Sequence, residues 1–239
     1  DRCSKAMRRE FEVYSPTIEK YSVDECFIDM TETMRLFGDP VETAYELKDK
    51  IKSKLGFTVN IGVAPNKLLA KMASDFEKPD RVHTLFYEEI PKKMWPLPVE
   101  NLFFVGRATR KKLYNLGIFT IGQLAQFDLE LLKLHVGNKY GIMIHNYANG
   151  IDDSRVEEEP PINKGYGNST TISHDVSDWT EGKKIILSLV ENVAARLRQD
   201  RVKTNCICLE LKTSGFHTYS HQKTLKGATD ITNDIYQAA

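Results

Sequence analysis

Two adjacent carboxylates, Asp24 and Glu25, interrupt a short apolar pattern and limit how the chain can fold there. Successive side chains of a strand point to opposite faces, so neighbouring carboxylates on a straight strand could not serve one site. A tight turn or a bulge removes this restriction. The sequence therefore predicts a hairpin with both carboxylates at its tip. Its first strand would carry Ile18, Tyr21 and Val23, and its second would carry Phe27 and Ile28.

A cation is expected at this hairpin tip. Like charges repel when they crowd together, unless a positive charge binds between them. Hard oxygen ligands of this kind suit Mg²⁺, with Mn²⁺ as a substitute. An Asp-Glu pair taken alone is more often a solvated turn, so the rest of the sequence must decide between the two interpretations.

A strand followed directly by a helix is predicted between Phe57 and Pro79. Apolar residues alternate from Phe57 to Val63, Pro65 fits the first turn of a helix, and Pro79 would end that helix. Charged residues spaced by four, four and three positions would line one face of the helix, namely Lys67, Lys71, Asp75 and Lys78. Such a row is often only a solvated face. Next to a carboxylate hairpin it favours a site for a cation and a polyphosphate.

A basic segment with a central glycine, Val105–Leu113, lies between two short apolar stretches. It predicts two short helices joined by a hairpin, with free backbone N–H groups at the start of the second helix. Such groups bind phosphate without reading base sequence. The candidate phosphate-binding residues are Gly106, Arg107, Thr109 and Lys111. An ordinary helical turn with exposed basic residues would give the same pattern.

The remaining sequence indicates a helical unit, a linker and a further domain. Apolar spacing is helical from Phe119 to Ala148, and residues 151–163 are acidic and rich in proline. Residues 164–239 predict the order β-α-β-β-α, with a first strand at 166–173 and a helix at 180–198. The polar strand residues that could face a ligand there are Lys164, Asn168, Ser169, Thr170, His221 and Lys223. The fold class is therefore α+β with several domains.

Composition narrows the class of protein. The 239 residues are 41% hydrophobic and 28% charged, enough for two or three domains. The four cysteines form no Cys-x-x-Cys pair, which indicates a reducing compartment without structural zinc. No apolar run is long enough to cross a membrane, and the first residues lack the pattern of a signal peptide. A net charge of zero neither supports nor excludes nucleic acid, because a local basic patch is sufficient.

Taken together, two motifs resemble those of the Y-family DNA polymerases, the translesion enzymes of the DinB and UmuC type. Tyr21–Asp29 is similar to the palm motif of that family, and Asn66–Pro79 is similar to its strand-helix signature. The resemblance covers nearly the whole chain. It implies a partial palm over 1–96, a helical thumb with a helix-hairpin-helix over 97–150, a linker over 151–163, and a little-finger DNA-binding domain over 164–239 without its last strand. The family's first metal-binding Asp and its fingers would precede this sequence in a longer protein.

The resemblance also implies a reaction: Mg²⁺-dependent, template-directed DNA synthesis across damaged DNA by a DNA-directed DNA polymerase. Asp24 and Glu25 would be the catalytic and metal-binding residues for two Mg²⁺ ions, and Lys78 would meet the incoming triphosphate. Ser22 and Lys71 would lie near the primer terminus. The expected partners are primer-template DNA, deoxynucleoside triphosphates and a sliding clamp bound through a C-terminal tail, with no membrane. The expected location is cytoplasmic and DNA-associated, and residues 1–239 alone are expected to be inactive.

Two alternatives stay open at this point. A non-catalytic DNA-binding or regulatory protein could use the same scaffold, because this sequence offers one metal carboxylate fewer than the family. Diguanylate cyclases also carry an acidic hairpin on a palm-like sheet, and Asp24–Phe27 is close to their pattern. Diguanylate cyclases lack the helix-hairpin-helix and the Asn66–Pro79 helix, so this alternative is the less favoured of the two.

Overall fold

The computed structural model describes residues 2–158 and 163–239, and the chain forms two units, Asp1–Pro160 and Pro161–Ala239. Four short strands of the first unit are β1 (Ile18–Lys20), β2 (Cys26–Ile28), β3 (Ile61–Val63) and β4 (Val82–Thr84). Its helices are α1 (Arg2–Phe11), α2 (Met34–Phe37), α3 (Pro40–Leu55), α4 (Lys67–Ser74), α5 (Ile90–Lys93), α6 (Arg107–Asn115), α7 (Ile121–Ala125), α8 (Leu129–Val136) and α9 (Asn138–Ala148). The second unit contains α10 (Trp179–Gln199), β5 (Thr204–Lys212), β6 (Thr218–Thr229) and α11 (Thr232–Ala238).

The predicted carboxylate hairpin is formed by β1 and β2. The two strands are antiparallel, with Ile18 opposite Ile28. The backbone N–H groups of Tyr21 and Ser22 both donate to the carbonyl of Glu25, at 3.0 Å each. These two bonds close the turn, so β1 ends at Lys20 and does not continue to Val23 as predicted. Asp24 and Glu25 lie at the tip.

The strand-helix pair is present but shorter than predicted. Helix α4 begins at Lys67 because the side chain of Asn66 caps it, accepting the N–H of Leu69 at 2.9 Å. Pro65 therefore lies outside the helix. The helix ends at Ser74 instead of Lys78, since the N–H of Asp75 donates to Met72, three residues back, and the regular four-residue ladder stops.

Strand β3 packs directly against α4 at Gly62. A side chain at Gly62 would overlap the backbone carbonyl oxygen of Ala70. Strand β3 is parallel to β4, with Gly62 opposite His83. The missing side chain lets the backbone of the helix approach the sheet, which sets where α4 lies.

Two hydrophobic cores hold the first unit together. One joins α1 to α3 beneath the hairpin, through Met7, Phe11, Leu47 and Ile51 among others. The other runs from α4 through α9 and contains Leu68, Met72, Met94, Leu113, Ile121 and Ile144. This core contains residues from both sides of the predicted palm-thumb boundary between residues 96 and 97. The packing therefore does not divide the chain there, and the boundary stays a prediction.

The second unit has a core of its own. Helix α10 buries Ile186, Val190, Ala194 and Leu197 against Ile207 of β5 and Ile235 of α11. Strands β5 and β6 are antiparallel, with Leu209 opposite His221. The helix predicted at 180–198 and the two strands after it are confirmed, as is the mixed α+β class.

The strand predicted at 166–173 is not formed, and residues 163–178 contain neither helix nor strand. The hydroxyl of Tyr166 donates to Asp200 at 2.6 Å, and the carbonyl of Gly167 accepts from Arg196 at 2.9 Å. The start of this segment is therefore held by Arg196, which lies in α10, and by Asp200, which follows α10. Among the described strands, β5 and β6 pair only with each other.

Candidate active site

Ser22 holds Asp24 in place at the tip of the hairpin. The hydroxyl of Ser22 donates to Oδ1 of Asp24 at 2.7 Å, and the N–H of Asp24 donates back to that hydroxyl at 3.3 Å. Asp24 is exposed. Its other carboxylate oxygen therefore has room for a ligand from solvent.

Glu25 is the first member of an ion-paired network that reaches across to α4. Its Oε1 lies 2.7 Å from Nζ of Lys71, which lies 2.8 Å from Oδ2 of Asp75. The other oxygen of Asp75, Oδ1, lies 2.8 Å from Nζ of Lys78. We name Glu25, Lys71, Asp75 and Lys78 the carboxylate-lysine network. Lys71 is thus held against the hairpin by Glu25 and does not face solvent as predicted, whereas Lys78 is 58% exposed and pairs with Asp75.

The network fixes the charge of its central members. Burial lowers the pKa of Lys71, but hydrogen bonds to Asp75 and Glu25 outweigh burial, and the net pKa is raised. Burial likewise raises the pKa of Asp75, but hydrogen bonds from Lys71 and Lys78 outweigh it and lower the pKa. Lys71 is therefore an ammonium and Asp75 a carboxylate at neutral pH.

Lys67 belongs to a separate set of contacts. Its Nζ lies 2.6 Å from Oε2 of Glu19 and donates to the carbonyl of Arg155 at 3.0 Å. Its side chain is 16% exposed. The lysine therefore ties β1, α4 and the segment after α9 together, which is a structural role.

The described part of the predicted linker, residues 151–158, is attached to α4. A carboxylate oxygen of Asp152 accepts the N–H of Leu68 at 3.1 Å, and the side chain of Asn66 donates to the carbonyl of Gly150 at 2.9 Å. Asn66 could have been found from the preference for Asn before a helix. Nothing near Asp152 indicates a contact 84 positions away. The rest of the predicted linker, at 159–162, lies outside the described residues.

An open cleft of about 1270 Å³ lies between β2 and β3. Four predicted site residues line it, namely Asp24, Glu25, Lys71 and Lys78. The structure thus brings the predicted metal ligands and the predicted triphosphate ligand to one cleft.

The residues of this cleft fit a divalent metal ion in part. The described residues contain no group of three or more His, Cys, Asp or Glu placed to hold a metal. Asp24 and Glu25 nevertheless supply hard oxygen donors, and Mg²⁺ commonly binds one or two carboxylates together with substrate phosphates and water. The ammonium of Lys71, 2.7 Å from Glu25, shows that this position already stabilises a positive charge.

The predicted phosphate-binding hairpin precedes α6. Gly106 is the N-cap of α6 and has no side chain to occupy the first N–H groups of the helix. Arg107 and Lys111 are exposed, and neither has an ion pair within the described ranges. The hydroxyl of Thr109 instead donates to the hydroxyl of Tyr140 at 3.2 Å, a partner that the sequence did not indicate.

Comparison with solved structures identifies the fold. A Y-family DNA polymerase chimera, Dbh-Dpo4(243-245)-Dbh, superposes with a TM-score of 0.82 and 22% identity, over 99% of this chain and 67% of that one. A Dbh ternary complex superposes with a TM-score of 0.61 and 21% identity, over 99% of this chain and 69% of that one. The fold is that of a Y-family DNA polymerase.

Family models and curated relatives agree with this fold. Residues 1–75 match the impB/mucB/samB family, residues 163–239 match the C-terminal domain of that family, and residues 100–152 match the thumb domain of DNA polymerase-iota. The chain is 45% identical to DNA polymerase IV of Clostridium acetobutylicum over 98% of its own length and 59% of the relative. It is 37% identical to DNA polymerase IV 1 of Bacillus subtilis over 99% of its length and 57% of the relative.

The chain belongs to the impB/mucB/samB family of Y-family polymerases. This assignment removes the diguanylate cyclase alternative. The chain spans about three fifths of the length of the curated relatives it matches. No helix among the described residues is long and apolar enough to cross a membrane.

Proposed function

We propose that this chain is part of a translesion DNA polymerase, in which it supplies metal-binding carboxylates, a thumb and a DNA-binding domain. The observation that carries the proposal is the cleft in which Asp24, Glu25, Lys71 and Lys78 meet. Relatives that carry the name DNA polymerase IV support it. The substrates would be primer-template DNA and deoxynucleoside triphosphates.

Each residue of the cleft has a role in this proposal. Asp24 and Glu25 would hold Mg²⁺, or Mn²⁺, whose charge assists phosphoryl transfer when bound. Ser22 orients the carboxylate of Asp24 through the 2.7 Å hydrogen bond. Lys78 is 58% exposed and can leave Asp75 to place its ammonium against the triphosphate, where it acts as a point charge.

Lys71 would lie near the primer terminus. Its side chain is 13% exposed and is held from two sides by Glu25 and Asp75. A further metal-binding carboxylate would come from a part of the relatives' length that this chain does not span.

The thumb and the second unit would bind the DNA duplex. The first N–H groups of α6, with Arg107 and Lys111, would contact phosphates without reading base sequence. Gly106 would allow the backbone to approach the phosphate, and Thr109 would contribute through its backbone. We retain a palm at 1–96, a thumb at 97–150 and a little-finger domain at 164–239 as part of the proposal, with a sliding clamp as a further partner.

Primer extension by the full-length protein tests this function. Asp24→Ala and Glu25→Ala should each abolish Mg²⁺-dependent nucleotide addition while circular dichroism shows an intact fold. Glu77→Gln is the matched control, because Glu77 is 62% exposed and pairs with Arg81, away from the network. Unchanged extension in both Ala variants would overturn the assignment. DNA binding without any extension by the unmodified full-length protein would favour the non-catalytic alternative.

Residues 1–239 alone should bind duplex DNA weakly and show no extension. Two carboxylates leave the metal site incomplete, and positioning of the nascent base pair would need the fingers. The longer protein should extend a primed template with Mg²⁺. Robust extension by residues 1–239, absent from a parallel Asp24→Ala preparation, would contradict this part of the proposal.

A further inference from the structure

Asp75 holds two lysines at once, one with each carboxylate oxygen. Oδ2 lies 2.8 Å from Nζ of Lys71, and Oδ1 lies 2.8 Å from Nζ of Lys78. Asp75 is the C-cap of α4, and its backbone N–H donates to the carbonyl of Met72 in that helix. Lys71 is thus shared almost equally between Asp75 and Glu25, whose Oε1 is 2.7 Å away.

Lys71 competes with any other cation for Glu25. Its side chain is 13% exposed, so water screens its charge less than that of a surface lysine. A divalent ion at Glu25 would be repelled by this ammonium at short range. For the ion to bind, Lys71 must move away from Glu25. Asp75 is the carboxylate already in contact with Lys71 that can receive it.

We propose that Asp75 is a positioning residue that draws Lys71 away from Glu25 and so frees this carboxylate for a divalent cation. The inference rests on the proposed metal site at Asp24 and Glu25. It gives Asp75 a part in cation binding without any contact to the ion.

Lys78 links the exchange of Lys71 between Glu25 and Asp75 to the binding of a triphosphate. While Lys78 is paired with Asp75, it neutralises part of the charge that attracts Lys71. When a triphosphate takes Lys78, Asp75 attracts Lys71 more strongly, and Glu25 is released more completely. Binding of a triphosphate at Lys78 and of a cation at Glu25 then favour each other, as linkage requires.

The test is Mn²⁺ binding to the full-length protein, followed by the electron paramagnetic resonance of free Mn²⁺ without DNA or nucleotide. Asp75→Asn should raise the dissociation constant for Mn²⁺ about fivefold, because Lys71 then has Glu25 as its remaining carboxylate partner in the network. Asp75→Glu should restore most of the affinity. Glu77→Gln, which removes a nearby charge outside the network, should change the constant less than about twofold.

A double-mutant cycle separates this role from a simple loss of charge. In a Lys71→Met background, Asp75→Asn should have little effect on Mn²⁺ binding. An equal effect in both backgrounds would mean that the charge of Asp75 acts on the cation directly and not through Lys71, and would overturn the inference. Lys71→Met alone should tighten Mn²⁺ binding, and weaker binding by this variant would also overturn the inference, even if Asp75→Asn fails to fold. Failure of Asp24→Ala to weaken Mn²⁺ binding would instead count against the proposed metal site.

Discussion

The hydroxyl of Tyr140 donates a hydrogen bond of 2.6 Å to the backbone carbonyl of Phe104. Phe104 has φ of +70°, in the left-handed region that costs a residue with a side chain about 1–2 kcal/mol. The same hydroxyl receives the hydrogen bond of Thr109 from the first turns of α6. Tyr140, which lies in α9, therefore connects Phe104, before the predicted phosphate-binding hairpin, to Thr109, in the helix after it.

Tyr140→Phe should weaken binding of duplex DNA about threefold and reduce the free energy of unfolding by about 1 kcal/mol, because a net hydrogen bond contributes about that much. Fluorescence anisotropy with labelled DNA and chemical denaturation measure the two effects. Tyr45→Phe on α3, where the side chain is 50% exposed, is the control and should change neither. Reduced stability with unchanged DNA affinity would show that the hydrogen bonds of Tyr140 do not contribute to DNA binding.

Arg107→Ala or Lys111→Ala should weaken DNA binding evenly across base sequences. Removal of one phosphate contact should reduce the slope of log K against log salt by about one unit. Titrations at several salt concentrations give the slope directly. Lys133→Ala, which removes a lysine of α8 paired with Glu130 at 2.8 Å, should leave the slope unchanged. A sequence-selective decrease in affinity would indicate contacts to bases instead of phosphates.

Lys78→Ala in the full-length protein should raise the apparent KM for the incoming nucleotide about tenfold or more, with less than about a twofold change in DNA affinity. A charge-assisted contact to phosphate contributes about 1.5–3 kcal/mol, and Lys78 is free enough to make one. Steady-state kinetics and DNA titration provide the two values. Equal losses on both measures would place Lys78 at the duplex.

Cys26 should react with iodoacetamide at pH 8 much more slowly than Cys3, Cys206 and Cys208 in the native protein. Burial raises the pKa of Cys26 to about 12, whereas the other three thiols are exposed. A thiol with a raised folded pKa supports stability below its unfolded pKa of about 9, and that support is lost as pH rises towards 12. Mass spectrometry after alkylation for increasing times follows each residue, and labelling of Cys26 as fast as that of the other three would contradict its raised pKa.

The hairpin tip and α10 could be predicted because side-chain alternation and helical spacing are local properties of the sequence. The ion pairs could not. The row of lysines favoured a site for a cation and a polyphosphate, but whether Lys71 meets Glu25 depends on how closely α4 approaches β3 at Gly62. The strand predicted at 166–173 was wrong because strand preference depends on the available partner more than on composition. Asp152 had no local signal at all.

The core shared by α4 and the thumb helices has a consequence for recombination among relatives. A crossover between residues 96 and 97 would join half of that core, with Leu68 and Met94, to a foreign half that replaces Leu113 and Ile144. Such halves have not been selected to fill the same space, and mismatched volumes in a packed core are destabilising. A crossover within residues 159–162 would divide neither this core nor that of the second unit. Viable hybrids should therefore exchange the two units whole.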